Sequence, residues 1–211
     1  MNVLVACEFS GTVRNAFREK GHNAWSCDLL ESEDNSEFHY TGDIFKFVEK
    51  SNIKWDLMIG HPPCTYLSLS GARWCTDHIV KSKKGDWFHD GSFHRQSRDR
   101  ALDFFRKLWN LDIPRICLEN PMSVASTHVA KKSQTIQPWQ FGHPEFKTTW
   151  LWLKNLPLLK PTNIINPPDK NTEEFKKWSV VHYMSPNDDR WKERSRTYKN
   201  IGTAMANQWN F

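Results

Sequence analysis

The stretch from Trp55 to Ser68 constrains this chain more than any other. Leu57-Met58-Ile59 is an apolar run bounded by Gly60, and His61-Pro62-Pro63-Cys64-Thr65 follows at once. The run reads as a short buried strand, and the two prolines then fix two successive φ angles and remove two backbone donors. Cys64 therefore leaves the strand end on a rigid turn. In an open α/β sheet that end is where ligands bind, so a thiol placed there is a candidate nucleophile. Taken by itself, Cys64 also fits a small buried hydrophobe, the usual fate of a free cysteine. The choice depends on a partner elsewhere in the chain.

A chain of 211 residues can bury a core of ordinary size and suits a single domain over residues 1–211. Its five cysteines are odd in number and irregularly spaced, which argues against a disulfide framework and for a reducing, cytoplasmic setting. Met1 leads directly into the strand-like Asn2–Ala6, and no apolar run approaches bilayer length, so neither a signal peptide nor a membrane span is expected. The formal charge of +5 suits a polyanionic partner, although 29 basic against 24 acidic residues is a modest excess. Most of the eleven tryptophans read as core. Trp74, Trp87 and Trp139 lie in polar, turn-rich surroundings where a flat ring is also able to stack on a base.

Asn2–Ala6 reads as a strand, Cys7-Glu8-Phe9-Ser10-Gly11 as a turn, and Val13, Ala16 and Phe17 as one face of a helix. A second strand, Asn23–Cys27, closes at Asp28, which completes a βαβ unit of the kind that holds a nucleoside-bearing cofactor. The helix N-terminus after Gly11 is expected to face that cofactor, and Asp28 to accept its ribose hydroxyls. The full Gly-x-Gly-x-x-Gly spacing is missing, so a cofactor without phosphates fits better than a dinucleotide. In Gly42-Asp43-Ile44 the acid is either the N-cap of a short helix or an acceptor for the cofactor's adenine amine, and both readings stay open.

Residues 71–97 are polar, glycine-dotted and basic, and read as a long mobile loop. Cys75, His78, His89 and His94 fall within it, but their spacing matches no familiar zinc pattern, and no metal is expected. Arg98–Asp112 is a strongly amphipathic helix, with Ala101, Leu102, Phe105, Leu108 and Trp109 on one stripe and Pro114 as its stop. Arg115-Ile116-Cys117-Leu118 then forms a strand closed by Glu119-Asn120-Pro121. A carboxylate thus ends the strand that follows the Cys64 strand, and it is the partner that the thiol needs.

In this order the signals resemble the DNA (cytosine-5) methyltransferase family. Glu8-Phe9-Ser10-Gly11 looks like the cofactor turn, Asp28 the ribose acid, Gly42-Asp43-Ile44 the adenine-binding acid, and Pro62-Pro63-Cys64 the nucleophile loop. Glu119-Asn120-Pro121 is similar to the family's Glu-Asn-Val element, residues 141–147 to the segment closing the base pocket, and residues 202–207 to a cofactor-side helix. The resemblance implies a Rossmann-like α/β fold of the class I S-adenosylmethionine-dependent methyltransferases, with a mostly parallel sheet and helices on both faces. It also implies cytosine carbon 5 methylation of DNA with S-adenosylmethionine as cofactor. Cys64 and Glu119 would be catalytic, assisted by Arg196 and Lys147. Phe9, Ser10, Gly11, Asp28, Leu29, Asp43, Ile44, Pro62, Thr203 and Ala204 would line the cofactor pocket. Arg73, Lys83, Lys84, Arg95 and Arg194 would contact nucleic acid.

The chain departs from the family at Thr65, where glutamine is usual, at Pro121, where valine is usual, and at Lys147-Thr148-Thr149, where an arginine pattern stands. Residues 121–178 read as a reduced, irregular segment in place of a target-recognition domain, as in small phage-type members, which leaves room for a partner protein. The tail offers strands at Thr149–Leu153 and Ser179–Tyr183 and a basic run at Arg190–Lys199, read either as a solvated surface or as a phosphate contact. The alternatives are an amino-directed nucleic-acid methyltransferase, modification of another pyrimidine or from another donor, and an inactive nucleic-acid-binding module.

Overall fold

The computed structural model describes residues 1–83, 85–179 and 190–211, the last segment without the side chains of Arg190 and Trp191. Its strands are β1 (Asn2–Ala6), β2 (Asn23–Asp28), β3 (His39–Thr41), β4 (Leu57–Gly60), β5 (His78–Val80), β6 (Trp87–His89), β7 (Arg115–Pro121), β8 (Gln134–Ile136) and β9 (Thr149–Lys154). Seven of them form one sheet in the order β3-β2-β1-β4-β7-β9-β8. The pairs around β1, β2 and β4 are parallel, and β9 runs antiparallel to both β7 and β8. This is the mostly parallel, Rossmann-like α/β sheet expected from the sequence.

The continuous apolar runs of β1 and β4 follow from burial on both faces. Val3, Val5, Leu57, Ile59 and Cys117 point into one core, closed by helix α1 (Thr12–Arg18) and the helix Lys199–Gln208. Leu4, Ala6, Met58, Ile116 and Leu118 point into the other, closed by α2 (Ile44–Lys50) and α3 (Ser92–Trp109). From β1 the chain builds outward through β2 and β3, and from β4 it builds the other way through β7. The crevice at the ends of β1 and β4 is therefore the topological switch point of the sheet. The backbone closes it there, His61 N–H donating to the Ala6 carbonyl at 2.9 Å.

Several expectations need correction. The stretch 71–97, read as a mobile loop, is built from a 3-10 turn over Leu69–Cys75, the antiparallel hairpin β5–β6 and the opening turns of α3. Helix α3 starts at Ser92 rather than Arg98, because Asp90 accepts the Ser92 N–H and Asp77 the Gly91 N–H, both at 2.8 Å. It ends at Trp109, so Asp112 lies outside it and Pro114 is not its stop. Within 121–178 the chain forms α4 (Ala125–His128), β8, β9 and α5 (Glu173–Trp178). The strand expected at Ser179–Tyr183 lies, from residue 180 on, outside the described residues. Among the described residues no helix is long and apolar enough to cross a membrane.

Candidate active site at the ends of strands β1, β4 and β7

The β1 turn is organised by Glu8. Its buried carboxylate accepts the N–H groups of Val13 (2.6 Å) and Arg14 (3.2 Å), so it caps α1 from a distance. The helix N-terminus expected to face a cofactor is thus already satisfied by the protein itself, and a phosphate has no amides to use there. Burial pushes the Glu8 carboxyl above its usual range, against the charge of His61 and these two bonds. Gly11 adopts φ 70°, where a Cβ would run into the Arg14 guanidinium. That guanidinium is fully buried, donates to Ser26 Oγ at 2.9 Å and pairs with Asp34. Phe9 is buried beside the turn, and the Ser10 hydroxyl donates to Thr12.

Asp28 ends β2 with one carboxylate oxygen accepting the Leu30 N–H at 3.0 Å, and burial raises its pKa. Leu29 beside it is 77% exposed. Asp43 resolves the open choice in one direction: its Oδ1 accepts the Lys46 N–H at 3.0 Å as the N-cap of α2. An adenine contact is left to the remainder of that exposed carboxylate. Ile44 packs into the second core, and Ala204 into the first, whereas Thr203 is only partly covered.

Pro62 is buried and Pro63 exposed, and together they turn Cys64 outward. Of the five cysteines, Cys27 and Cys117 are buried, Cys7 and Cys75 half-buried, and Cys64 exposed, which removes the reading of Cys64 as a core hydrophobe. The thiol is exposed to solvent yet crowded on its inner side by the surrounding chain. That crowding, followed by the negative charge of Glu119, raises its pKa, while Arg194 and Lys147 act in the opposite sense. The loop is joined to the β7 end at three places. Asn120 Nδ2 donates to the Pro62 carbonyl at 2.7 Å, Leu69 N–H to Met122 O at 2.8 Å, and Val124 N–H to Leu67 O at 2.9 Å. The sequence pairs Pro-Pro-Cys with Glu-Asn-Pro, and Asn120 is the residue that physically couples them.

Glu119 lies on the same face of β7 as Cys117, and its side chain is 15% exposed. His61 Nδ1 sits 2.9 Å from Glu119 Oε2. Burial pushes the Glu119 carboxyl up, but the hydrogen bond and charge of His61 outweigh it and hold the pKa below the ordinary value. Burial pulls the imidazole down, but Glu119 and then Glu8 raise it above its ordinary value. Neither His61 nor Asn120 is given a role by the motifs. The signal available for His61 is its place as an ionisable residue between a buried strand and two prolines.

Lys147 borders a narrow cleft with Glu119, Thr149, Thr197 and Tyr198. Its ammonium donates to the carbonyls of Arg194 (2.7 Å) and Arg196 (3.2 Å). The Arg196 fork, expected at the base or its phosphate, instead grips both oxygens of Glu33, at 2.5 and 3.2 Å. Arg73 and Lys83 are exposed, and Lys84 lies outside the described residues. Arg95, expected at nucleic acid, is held by Asp77 at 2.8 Å and the Cys75 carbonyl at 3.0 Å. Trp74 is surrounded by the rings of His78, His89 and His94, so its faces are already packed, while Trp87 is half-exposed. Among the described residues no group of three or more His, Cys, Asp or Glu is placed to hold a metal ion.

No protein-family model and no curated protein sequence matches this chain. Solved structures are similar to it. One is described as a DNA modification methyltransferase encoded within a prophage (E. coli), with 16% identity, a TM-score of 0.47, and coverage of 89% of this chain and 56% of the other. The methyltransferase EhMeth of Entamoeba histolytica matches at 16% identity and TM-score 0.45, covering 89% and 60%. The S. pombe Dnmt2 methyltransferase matches at 13% identity and TM-score 0.42, covering 89% and 56%. The chain spans between 56% and 60% of the length of these three proteins.

Proposed function

We infer that this protein is an S-adenosylmethionine-dependent nucleic-acid methyltransferase that acts on carbon 5 of cytosine in DNA through a covalent Cys64 adduct. The observation that carries this reading is the junction of an exposed thiol and a buried carboxylate, on loops bonded to each other through Asn120 at the switch point of a doubly wound sheet. Carbon 5 of cytosine is a poor nucleophile until a thiolate adds at carbon 6, and Cys64 supplies that addition. Glu119 holds the ring nitrogen and exocyclic amine and protonates the ring as the adduct forms. The base leaves its helix to reach them.

The β1–β4 crevice fits a cofactor of this kind because Glu8 withholds the α1 amides from phosphate, while Asp28 and Asp43 offer acceptors for ribose hydroxyls and the adenine amine. Phe9, Ser10, Gly11, Leu29, Pro62 and Thr203 would border the cofactor, whereas Ile44 and Ala204 back the site from the two cores. When bound, S-adenosylmethionine supplies an activated methyl group. Lys147 and Arg194 place positive charge near the thiol, and Arg196 reaches a phosphate by exchanging Glu33 for it. Arg73 and Lys83, both exposed, would extend the contact along the strand, and sequence reading falls to this surface or to a partner protein.

A second reading, transfer to an exocyclic amine with Cys64 as a bystander, draws on the raised pKa of the thiol. Incubation with labelled S-adenosylmethionine and a panel of DNA, RNA and nucleotides, followed by nucleoside mass spectrometry, separates the two. The first reading requires 5-methylcytosine, and an N4-methylated base would establish the second.

A further inference from the structure

We propose that His61 is a positioning residue that stores the proton Glu119 delivers to the base, shuttling it across the His61–Glu119 contact in each catalytic cycle. The proposal rests on the cytosine reading and deepens it.

The geometry is specific. His61 Nδ1 lies 2.9 Å from Glu119 Oε2, and the two side chains are 7% and 15% exposed. The ring is fixed from below, because the His61 N–H is bonded to Ala6 and the next two residues are prolines. Its other nitrogen, Nε2, is buried with no hydrogen-bond partner among the described residues. The groups whose charge or hydroxyl acts on the ring come from several segments. They are Glu8 from the β1 turn, Asp28 from the end of β2, Glu119 from β7, Lys147 from the segment before β9, and the Thr197 hydroxyl at 3.5 Å from Nδ1. Three carboxylates against one ammonium favour the imidazolium, and the raised pKa of His61 agrees.

This arrangement answers a difficulty in the chemistry. An ionised Glu119 accepts hydrogen bonds but cannot protonate cytosine N3, itself an acceptor. Moving the proton from His61 to Glu119 produces a neutral imidazole and a carboxylic acid. Cys64 loses its thiol proton to water, and its sulfur electron pair forms the S–C6 bond. The C5–C6 π pair moves to C4–C5, and the C4–N3 π pair moves to N3, which takes the proton from Glu119. After methyl transfer, the C5 proton leaves to solvent, the C5–C6 double bond re-forms and the sulfur departs as thiolate. The N3 proton then returns through Glu119 to His61, and the pair is restored.

The test uses His61→Gln, in which an amide N–H still donates to Glu119 and fills similar space, and DNA carrying 5-fluorocytosine, which arrests the covalent adduct. Divided by the Cys64 thiolate fraction at each pH, taken from iodoacetamide alkylation of the same protein, the wild-type adduct rate should fall as pH rises through the titration of His61, followed in the free protein by NMR. In His61→Gln the rate corrected in the same way should drop about 100-fold at neutral pH, lose that alkaline limb, and recover toward pH 5 as Glu119 takes its proton from solvent. Cofactor affinity should hold. A neutral His61 at pH 7, or a His61→Gln rate within threefold of wild type with the same pH profile, would overturn the assignment. Absence of any adduct in the wild type would instead remove the cytosine reading, and this role with it.

Discussion

Asn120 offers the sharpest test of how the site is held together. Its side chain is 1% exposed, and its Nδ2 donates to the buried Pro62 carbonyl at 2.7 Å, while its Oδ1 has no partner among the described residues. Asn120→Ala leaves the Pro62 carbonyl without its donor, a penalty of about 1–3 kcal/mol. A small cavity adds about 1 kcal/mol. Loss of the orphaned Oδ1 returns about 1–2 kcal/mol of desolvation. The expected net destabilisation is about 1.5 kcal/mol, or a fall in melting temperature of about 3–6 °C for a chain of this size. Asn120→Asp should be worse at neutral pH, since it cannot donate and sets a second carboxylate next to Glu119, and it should improve as acid restores a donor. Because the bond positions the Cys64 loop, a displacement of about 1 Å in the alanine variant should slow methyl transfer about 100-fold. Urea unfolding at two pH values, with single-turnover transfer, measures both effects. An alanine variant within 0.5 kcal/mol of wild type at full rate would refute the idea that this amide couples the two loops.

Cys64→Ser should abolish transfer while calorimetry finds cofactor affinity within about twofold, and retained activity would end the covalent mechanism. Alkylation of Cys64 by iodoacetamide should have its pH midpoint above that of a free thiol, and Glu119→Gln should lower it, because burial and the Glu119 charge both disfavour the thiolate. Asp34→Asn should cost about 2 kcal/mol at pH 7, less than is usual for breaking a buried pair because Asp34 is partly exposed and Arg14 keeps its bond to Ser26. Burial opposes ionisation of Asp34, but bonds from Ser32, Asn15 and Arg14 and the Arg14 charge hold its pKa well below the usual carboxylate range. Its contribution is therefore complete above the ordinary carboxylate pKa and is lost as pH falls through the folded value, so the gap between wild type and variant should close in strong acid. Arg196→Ala should weaken DNA binding and reduce the salt slope by about 1, and Glu33→Gln should strengthen binding, with stability changed by less than about 1 kcal/mol in either variant.

What could be read from the sequence was whatever is local. The strands flanking Cys64 and Glu119 announce themselves because both faces of the sheet are buried, and the prolines mark where the chain must turn. Strands β5 and β6 are three residues each and carry histidine, tryptophan and phenylalanine without clear alternation, so no periodic signal separates them from a loop. The first turn and a half of α3 is Ser-Phe-His-Arg-Gln-Ser, held by Asp77 and Asp90 rather than by an apolar stripe. The choice of Arg196 as a base-side cation rested on the fork of its guanidinium. Its binding to Glu33 joins residues 163 apart, and no pattern in either neighbourhood announces it. Glu8 looked like part of a cofactor turn, and its service to the α1 amides depends on a backbone path that only the fold supplies.

The walls of the cleft also differ in how far along the chain they reach. Asn120 and Glu119 meet the Cys64 loop across 58 residues, whereas Lys147 holds the Arg194 and Arg196 carbonyls across 47 and 49, and Arg196 reaches back to Glu33 across 163. The longest of these loops is already closed by the helix Lys199–Gln208 packed on α1, and the exposed Arg196–Glu33 pair adds little to that. During folding the floor of the cleft should therefore form with the sheet, and the basic wall should dock afterwards. In the native state that same wall should be the first part to open, so amide exchange should be faster at residues 194–197 than at the ends of β4 and β7.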